Sequence, residues 1–182
     1  RPVDVYAAGH LRGSVSVPAD GRMAETVGMV FTPDQRIVLI APDGLEQEVA
    51  IRHARIGYDN VVGYIPDPDT YLLGHQDEVE RASRLRIDQF EQVRGDAGIQ
   101  LVDIRNPGEV ADGMMPGAHH IPLPELPGRA GELDQNQPVV LYCAGGWRSS
   151  VGASLLRSQG FGDVSDLLGG YNAWSADQAP AQ

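Results

Sequence analysis

Apolar residues fall into short runs separated by polar and Gly/Pro-rich breaks, and the second half of the chain is the easier to read. Gln100–Ile104 reads as an apolar strand. Pro138–Tyr142 is a continuous apolar run ahead of a glycine-rich turn, the pattern of a buried strand. Arg148–Gln159 reads as a helix closed by Gly160. Asp163–Leu168 reads as a further strand and Ile87–Arg94 as a short helix. Glu78–Arg86 is charged and reads as a short helix leading into this half. Strands alternating with helices predict an α/β domain with a mainly parallel central sheet flanked by helices.

The pattern occurs twice. Arg1–Pro18 aligns without a gap on Arg105–Pro122, so that Arg1, Gly9, Gly13 and Pro18 fall on Arg105, Gly113, Gly117 and Pro122. Arg36–Ala41 then lies over Pro138–Cys143, and Ile56–Val61 over Gln159–Val164. Order and spacing are kept, and so long a period means duplicated domains rather than a solenoid. The Pro-Asp-Pro-Asp run at Pro66–Asp69 breaks regular structure. We expect a first domain over 1–75, a linker over 76–84 and a second domain over 85–182. The second copy has a strand before Arg105 with no counterpart before Arg1, so the first copy is expected to be N-terminally truncated.

Composition narrows the class. Hydrophobic residues make up 42% and charged residues 21%, as in ordinary globular chains. A net charge of −11 argues against a nucleic-acid partner, which needs clustered Lys and Arg. No apolar run approaches the ~20 residues that span a bilayer, and no signal peptide is visible, so no membrane partner is expected. The single cysteine excludes an internal disulfide and a Cys-rich metal site, and fits a reducing, cytoplasmic compartment. His119 and His120 are adjacent on a strand-like segment and so point to opposite faces. His10, His53 and His75 are scattered. No metal is expected in this chain.

The candidate chemistry lies at Cys143-Ala144-Gly145-Gly146-Trp147-Arg148-Ser149. A buried strand ends at the cysteine, a loop with two glycines follows, and a helix begins. Backbone N–H groups in such a loop can face inward, and a helix N-terminus adds partial positive charge, so an anion is favoured there. A helix N-terminus and a nearby Arg favour thiolate, the reactive form of cysteine. The same amides suit the terminal sulfur of a persulfide. An isolated Cys at a strand end is most often a small buried hydrophobe. That reading leaves the glycine pair, the Arg offset and the helix start unexplained.

The loop resembles the active-site loop of the rhodanese family, C-x-x-x-x-R. Asp103–Pro122 resembles the family's first motif and Gly160–Trp174 its closing motif, the three in the right order over roughly Leu85–Trp174. Met114 departs from the pattern, standing where the family usually has His. The resemblance implies two rhodanese-like α/β domains and a sulfurtransferase. Cys143 would take a sulfane sulfur from thiosulfate or a persulfide and pass it to cyanide, a thiol or glutathione. Arg148 would brace the loop and act with Cys143. Ala144, Gly145, Gly146, Trp147 and Ser149 would form the substrate cradle. Asp103, Arg105 and Glu109 are expected to hold the scaffold. In the first copy Ala41 stands at the Cys143 position and Glu46 near that of Arg148, so that half is expected to be inactive. Its wording also resembles the middle part of a fusion in which a metallo-β-lactamase-fold persulfide dioxygenase precedes an inactive and an active rhodanese domain. Iron would then belong only to that upstream domain, and this chain needs no cofactor beyond a persulfide on Cys143.

Two other functions are weighed. Related cysteine phosphatases use a loop one residue longer, and no general-acid Asp is evident in this one. A non-catalytic binding or regulatory module is the second, since the first copy retains the pattern without its cysteine.

Overall fold

The computed structural model describes residues 1–19, 22–96 and 98–178. The chain forms two compact units, Arg1–Arg81 and Ala82–Gln182. The last four residues of the expected 85–182 domain lie outside the described residues.

The second unit is an α/β layer structure. Its elements are β5 (Ser83–Leu85), α5 (Ile87–Val93), β6 (Gln100–Asp103), α6 (Pro107–Val110), β7 (His119–His120), α7 (Leu126–Arg129), β8 (Val139–Tyr142), α8 (Trp147–Ser158), β9 (Val164–Leu167) and α9 (Gly170–Asp177). The strands form one five-stranded sheet in the order β5-β9-β8-β6-β7, and every pairing is parallel. All four residues of β8 and of β9 are buried, as expected for central strands covered on both faces. Phe90, Leu101, Met115, Val140, Tyr142 and Leu167 form one core, flanked by Tyr171 and Trp174 of α9. Helix α8 is buried from Ser149 to Leu156.

The first unit contains α1 (Val3–Ala8), β1 (His10–Leu11), α2 (Met23–Val30), β2 (Ile37–Leu39), α3 (Glu46–Ala54), β3 (Val61–Tyr64), α4 (Pro68–Gly74) and β4 (Val79–Glu80). Strands β2 and β3 pair in parallel, and β1 and β4 pair antiparallel. Met23 and Val27 of α2, Val49 of α3, Leu39, Ala41 and Tyr58 make its core. Val38, Val62 and Tyr64 stay more than half exposed.

The segment Glu78–Arg86 is not the expected helix, and the two units divide at Arg81/Ala82, within 76–84. Residues 76–78 form a 3-10 turn, Val79–Glu80 pairs with β1, and Ser83–Leu85 adds to the sheet beside β9. Two strand edges with open hydrogen-bonding groups outweigh local charge here. Arg84 becomes compatible with a strand because its guanidinium meets a carboxylate on the neighbouring strand.

Candidate active site

Strand β8 delivers Cys143 to the C-terminal edge of the parallel sheet, where a four-residue turn leads into α8. The position is the usual one for chemistry in open α/β sheets. Cys143 is 1% exposed, beneath a loop whose tip, Gly145, is exposed. The amide of Gly146 donates to Cys143 Sγ at 3.1 Å, and Sγ lies 3.7 Å from Ser149 Oγ. Ser149 is fully buried. The first turn of α8 adds amides that have no partner inside the helix, together with the positive end of the helix dipole.

The turn depends on Gly146 more than on Gly145. Gly146 has φ +87°, and a Cβ there would meet the Gly169 backbone nitrogen at 2.9 Å. Gly145 has neither a left-handed backbone nor a crowded Cβ position. Of the two loop glycines, the left-handed turn rests on Gly146.

What aims the loop inward comes from elsewhere in the chain. The N-terminus of α9 donates two amides to the loop's carbonyls, Tyr171 N to Cys143 O at 2.7 Å and Asn172 N to Ala144 O at 3.0 Å. Those carbonyls are thereby tied to α9. The approach is close enough that a Cβ on Gly170, at φ +56°, would stand 2.2 Å from Cys143 O. Gly170 thus permits the close approach of α9 to this loop.

Arg148 leaves the first turn of α8 and forms a two-pronged ion pair with Glu109 of α6, at 2.7 and 2.6 Å. This pair holds the Glu109 carboxyl well below its ordinary range, at about 2. Arg148 is in turn stabilised as a cation, first by Glu109 and to a lesser degree by Cys143. Glu109, expected to serve only the scaffold, is therefore the anchor of the loop's arginine. Asp103 and Arg105 form a buried pair at 2.7 Å. Arg105 also donates to Gly113 O at 2.7 Å and stacks over Tyr171, 3.9 Å from the ring centre. Burial raises the Tyr142 phenol, whose oxygen accepts the Met115 amide.

Arg84 was not singled out by the sequence. From β5 it chelates Asp166 of β9 and donates to Gly146 O at 3.2 Å. Asp166 is 1% exposed, and burial raises its pKa against the pull of Arg84. Trp147 and Ala144 are partly buried at the loop. Met114 is exposed. Among the described residues no group of three or more His, Cys, Asp or Glu could hold a metal. His120 Nε2 lies 2.8 Å from Arg105 O, while His119 is exposed.

The arrangement can hold a thiolate or a singly charged sulfur against the Gly146 amide at the start of α8, with the Arg148 guanidinium held by Glu109. It offers no carboxylic acid within hydrogen-bonding distance of the thiol among the described residues.

Residues 87–177, all in the second unit, match the sequence pattern of the Rhodanese-like domain. A sulfurtransferase of Allochromatium vinosum is 42% identical over 82 residues, which cover 45% of this chain and 77% of that protein. The thiosulfate sulfurtransferase GlpE of Shewanella oneidensis is 34% identical over 90 residues, 50% of this chain and 89% of the relative. A crystal structure of a rhodanese-like domain protein from Staphylococcus aureus is 29% identical and covers 50% of this chain and 90% of its own, with a TM-score of 0.48.

Proposed function

Because this chain belongs to the rhodanese-like family, we propose that its second unit is a sulfurtransferase working through a persulfide on Cys143. The thiolate attacks the outer sulfur of thiosulfate. A Cys–S bond to that sulfur forms, the S–S bond of the donor breaks, and sulfite leaves with the electron pair. The enzyme then carries Cys–S–S⁻. A nucleophilic acceptor such as cyanide, a thiol or glutathione attacks the terminal sulfur, and Cys143 leaves as thiolate. No outside oxidant or reductant is needed. A persulfide donor serves in the same way, with a thiolate as the leaving group.

The observation that carries this reading is the Gly146 amide on Cys143 Sγ, in a loop whose two leading carbonyls are tied back by α9. Preorganised amides stabilise the anion in each state without rearrangement. Arg148, fixed by Glu109, contributes positive potential beside the sulfur. Ala144, Gly145, Trp147 and Ser149 complete the cradle.

We read the first unit as an inactive copy, and we place the chain in sulfide or persulfide metabolism beside a metallo-β-lactamase-fold domain. The paired sequence segments support the copy, and the wording of the first copy supports the fusion. A lone thiol suits the reducing cytoplasm.

Treatment with thiosulfate followed by intact and peptide mass spectrometry tests the central step. The expected product is one extra sulfur atom on Cys143, removed by cyanide with release of thiocyanate. Absence of the adduct with thiosulfate and with glutathione persulfide would establish a non-catalytic module instead. Turnover of a phosphate ester in preference to thiosulfate would turn the assignment to a phosphatase.

A further inference from the structure

Helix α8 carries four serines, and one of them is bonded differently from the rest. Ser150 Oγ donates to Trp147 O at 2.8 Å, Ser154 Oγ to Val151 O at 2.7 Å and Ser158 Oγ to Leu155 O at 2.7 Å. Each of these hydroxyls returns to the carbonyl three residues back, a local bond that serine makes readily in a helix. The same bond from Ser149 would go to Gly146 O. That carbonyl accepts from the Arg84 guanidinium at 3.2 Å. Ser149 Oγ lies 3.7 Å from Cys143 Sγ, and among the described residues that sulfur is its hydrogen-bond partner. Both residues are buried, Ser149 at 0% and Cys143 at 1% exposure.

A hydroxyl has one proton to donate and lone pairs with which to accept. Beside a neutral thiol it accepts from the weak S–H donor. Beside a thiolate it turns and donates, and a bond to a charged acceptor is roughly twice as strong as a neutral one. The inner sulfur of a persulfide offers neither an S–H nor the full negative charge, which sits on the outer sulfur. The Ser149 bond is therefore strongest when Cys143 is a thiolate and weakest when it carries the transferred sulfur. An interaction accelerates a step only where it strengthens on the way to the transition state. Cys143 gains negative charge as the persulfide is discharged and loses it as sulfur is loaded.

We propose that Ser149 stabilises Cys143 as a leaving group and so speeds discharge of the persulfide. The proposal rests on the sulfurtransferase reading of the second unit. The acceptor attacks the outer sulfur, its bond to that sulfur forms, the S–S bond breaks, and the electron pair passes to Sγ. Ser149 donates to Sγ as that charge grows and keeps its proton throughout. The Gly146 amide serves the same atom at 3.1 Å, but it is fixed in the backbone. The hydroxyl can rotate and follow the charge. Arg84, by occupying Gly146 O, leaves the Ser149 proton to the sulfur.

The test compares Ser149→Ala with the parent and with Ser154→Ala, which removes a hydroxyl of the same helix bonded to Val151 O. The full chain is loaded with thiosulfate, freed of excess donor and mixed rapidly with cyanide, and loss of the persulfide is timed. Loading is timed separately by quenching and intact mass spectrometry. Alkylation of the sulfur-free chain by iodoacetamide is followed against pH. Ser149→Ala is expected to slow discharge by about tenfold and to change loading by less than about threefold. The midpoint of its alkylation profile is expected to move up by about one pH unit. Ser154→Ala should match the parent in all three readings. Equal slowing of loading and discharge, an unmoved alkylation profile, or the same losses in Ser154→Ala would overturn the role of Ser149. A parent that takes up no sulfur overturns the transfer reading and this proposal with it, whereas failure of Ser149 alone leaves the parent's loading intact.

Discussion

At the end of β2 the chain turns through Ala41-Pro42-Asp43-Gly44 toward α3, and at the end of β8 it turns through Cys143-Ala144-Gly145-Gly146 into α8. The fourth residue is a left-handed glycine in both, at φ +79° and +87°. The turn itself is therefore common to the two units. What differs is the chemistry attached to it. The first turn has no thiol, and Pro42 removes an amide where Ala144 keeps one. Glu46 stands in place of Arg148, and Asp43 adds a second negative charge. The brace is missing too. Among the described residues no α4 amide is bonded to the carbonyl of Ala41 or Pro42, and Pro42 O accepts the nearby Leu45 amide instead. The turn geometry survives loss of the anion site. An inward-facing ring of amides is a separate requirement, supplied in part by a distant helix.

The largest expected effect follows from exchanging the sulfur. Cys143→Ser should abolish transfer while leaving the thermal transition within about 1 kcal/mol of the parent, since the site is small and the fold tolerates Ala41 at the matching place. Adding a thiol to the first unit with Ala41→Cys in that background should not restore it. Recovery of thiosulfate turnover would show that the thiol alone, without amides or Arg, suffices. A smaller loss is expected for Gly170→Ala. Its new Cβ collides with the Cys143 carbonyl and forces the brace apart. Loss of an aimed donor set costs on the order of 100-fold in kcat. Steady-state kinetics showing a change in KM alone would mean the brace serves only binding.

Arg84→Ala should act on stability more than on rate. It leaves Asp166 buried without its partner and frees the Gly146 carbonyl. Breaking a buried pair costs roughly 3 kcal/mol in chemical denaturation. Transfer should fall by less than about tenfold, because the Gly146 amide remains in place. A loss as large as that of Gly170→Ala would rank the carbonyl's position equal to the brace.

The part of this site that the sequence disclosed is the part that is local. Strand β8, the turn and α8 follow one another, and their apolar run, glycines and helix start lie within about twenty residues of one another. The remaining parts meet only in three dimensions. Glu109 reaches Arg148 across 39 positions, and Arg84 reaches Gly146 across 62. No periodicity encodes such a meeting. Glu109 stood in a motif and was legible as a fixed carboxylate, but its partner was not. Arg84 lay in a charged stretch that reads as a helix, because five charges in nine residues obscure a strand made by pairing with β9. The Gly169–Gly170 pair was visible, while its purpose was not, since only the approach of α9 to the Cys143 carbonyl reveals it.

The smallest effect concerns the Arg148 clamp, and it can be separated from the rest by pH. The Arg148 pair lowers the Glu109 carboxyl from 4.5 to about 2. A carboxyl lowered on folding stabilises the native state fully above its unfolded value, and that contribution fades as pH falls toward the folded value. Glu109→Gln removes the titration while keeping the shape. The parent should therefore exceed the variant in denaturation midpoint by a constant margin above pH about 5, and the margin should shrink between about 4.5 and about 2. Glu109 is about one-third exposed, so solvent screening keeps the margin modest. A margin that stays the same down to the acid limit would mean that Glu109 acts through shape alone. The first unit, with Glu46 in place of the arginine, has no such clamp to lose.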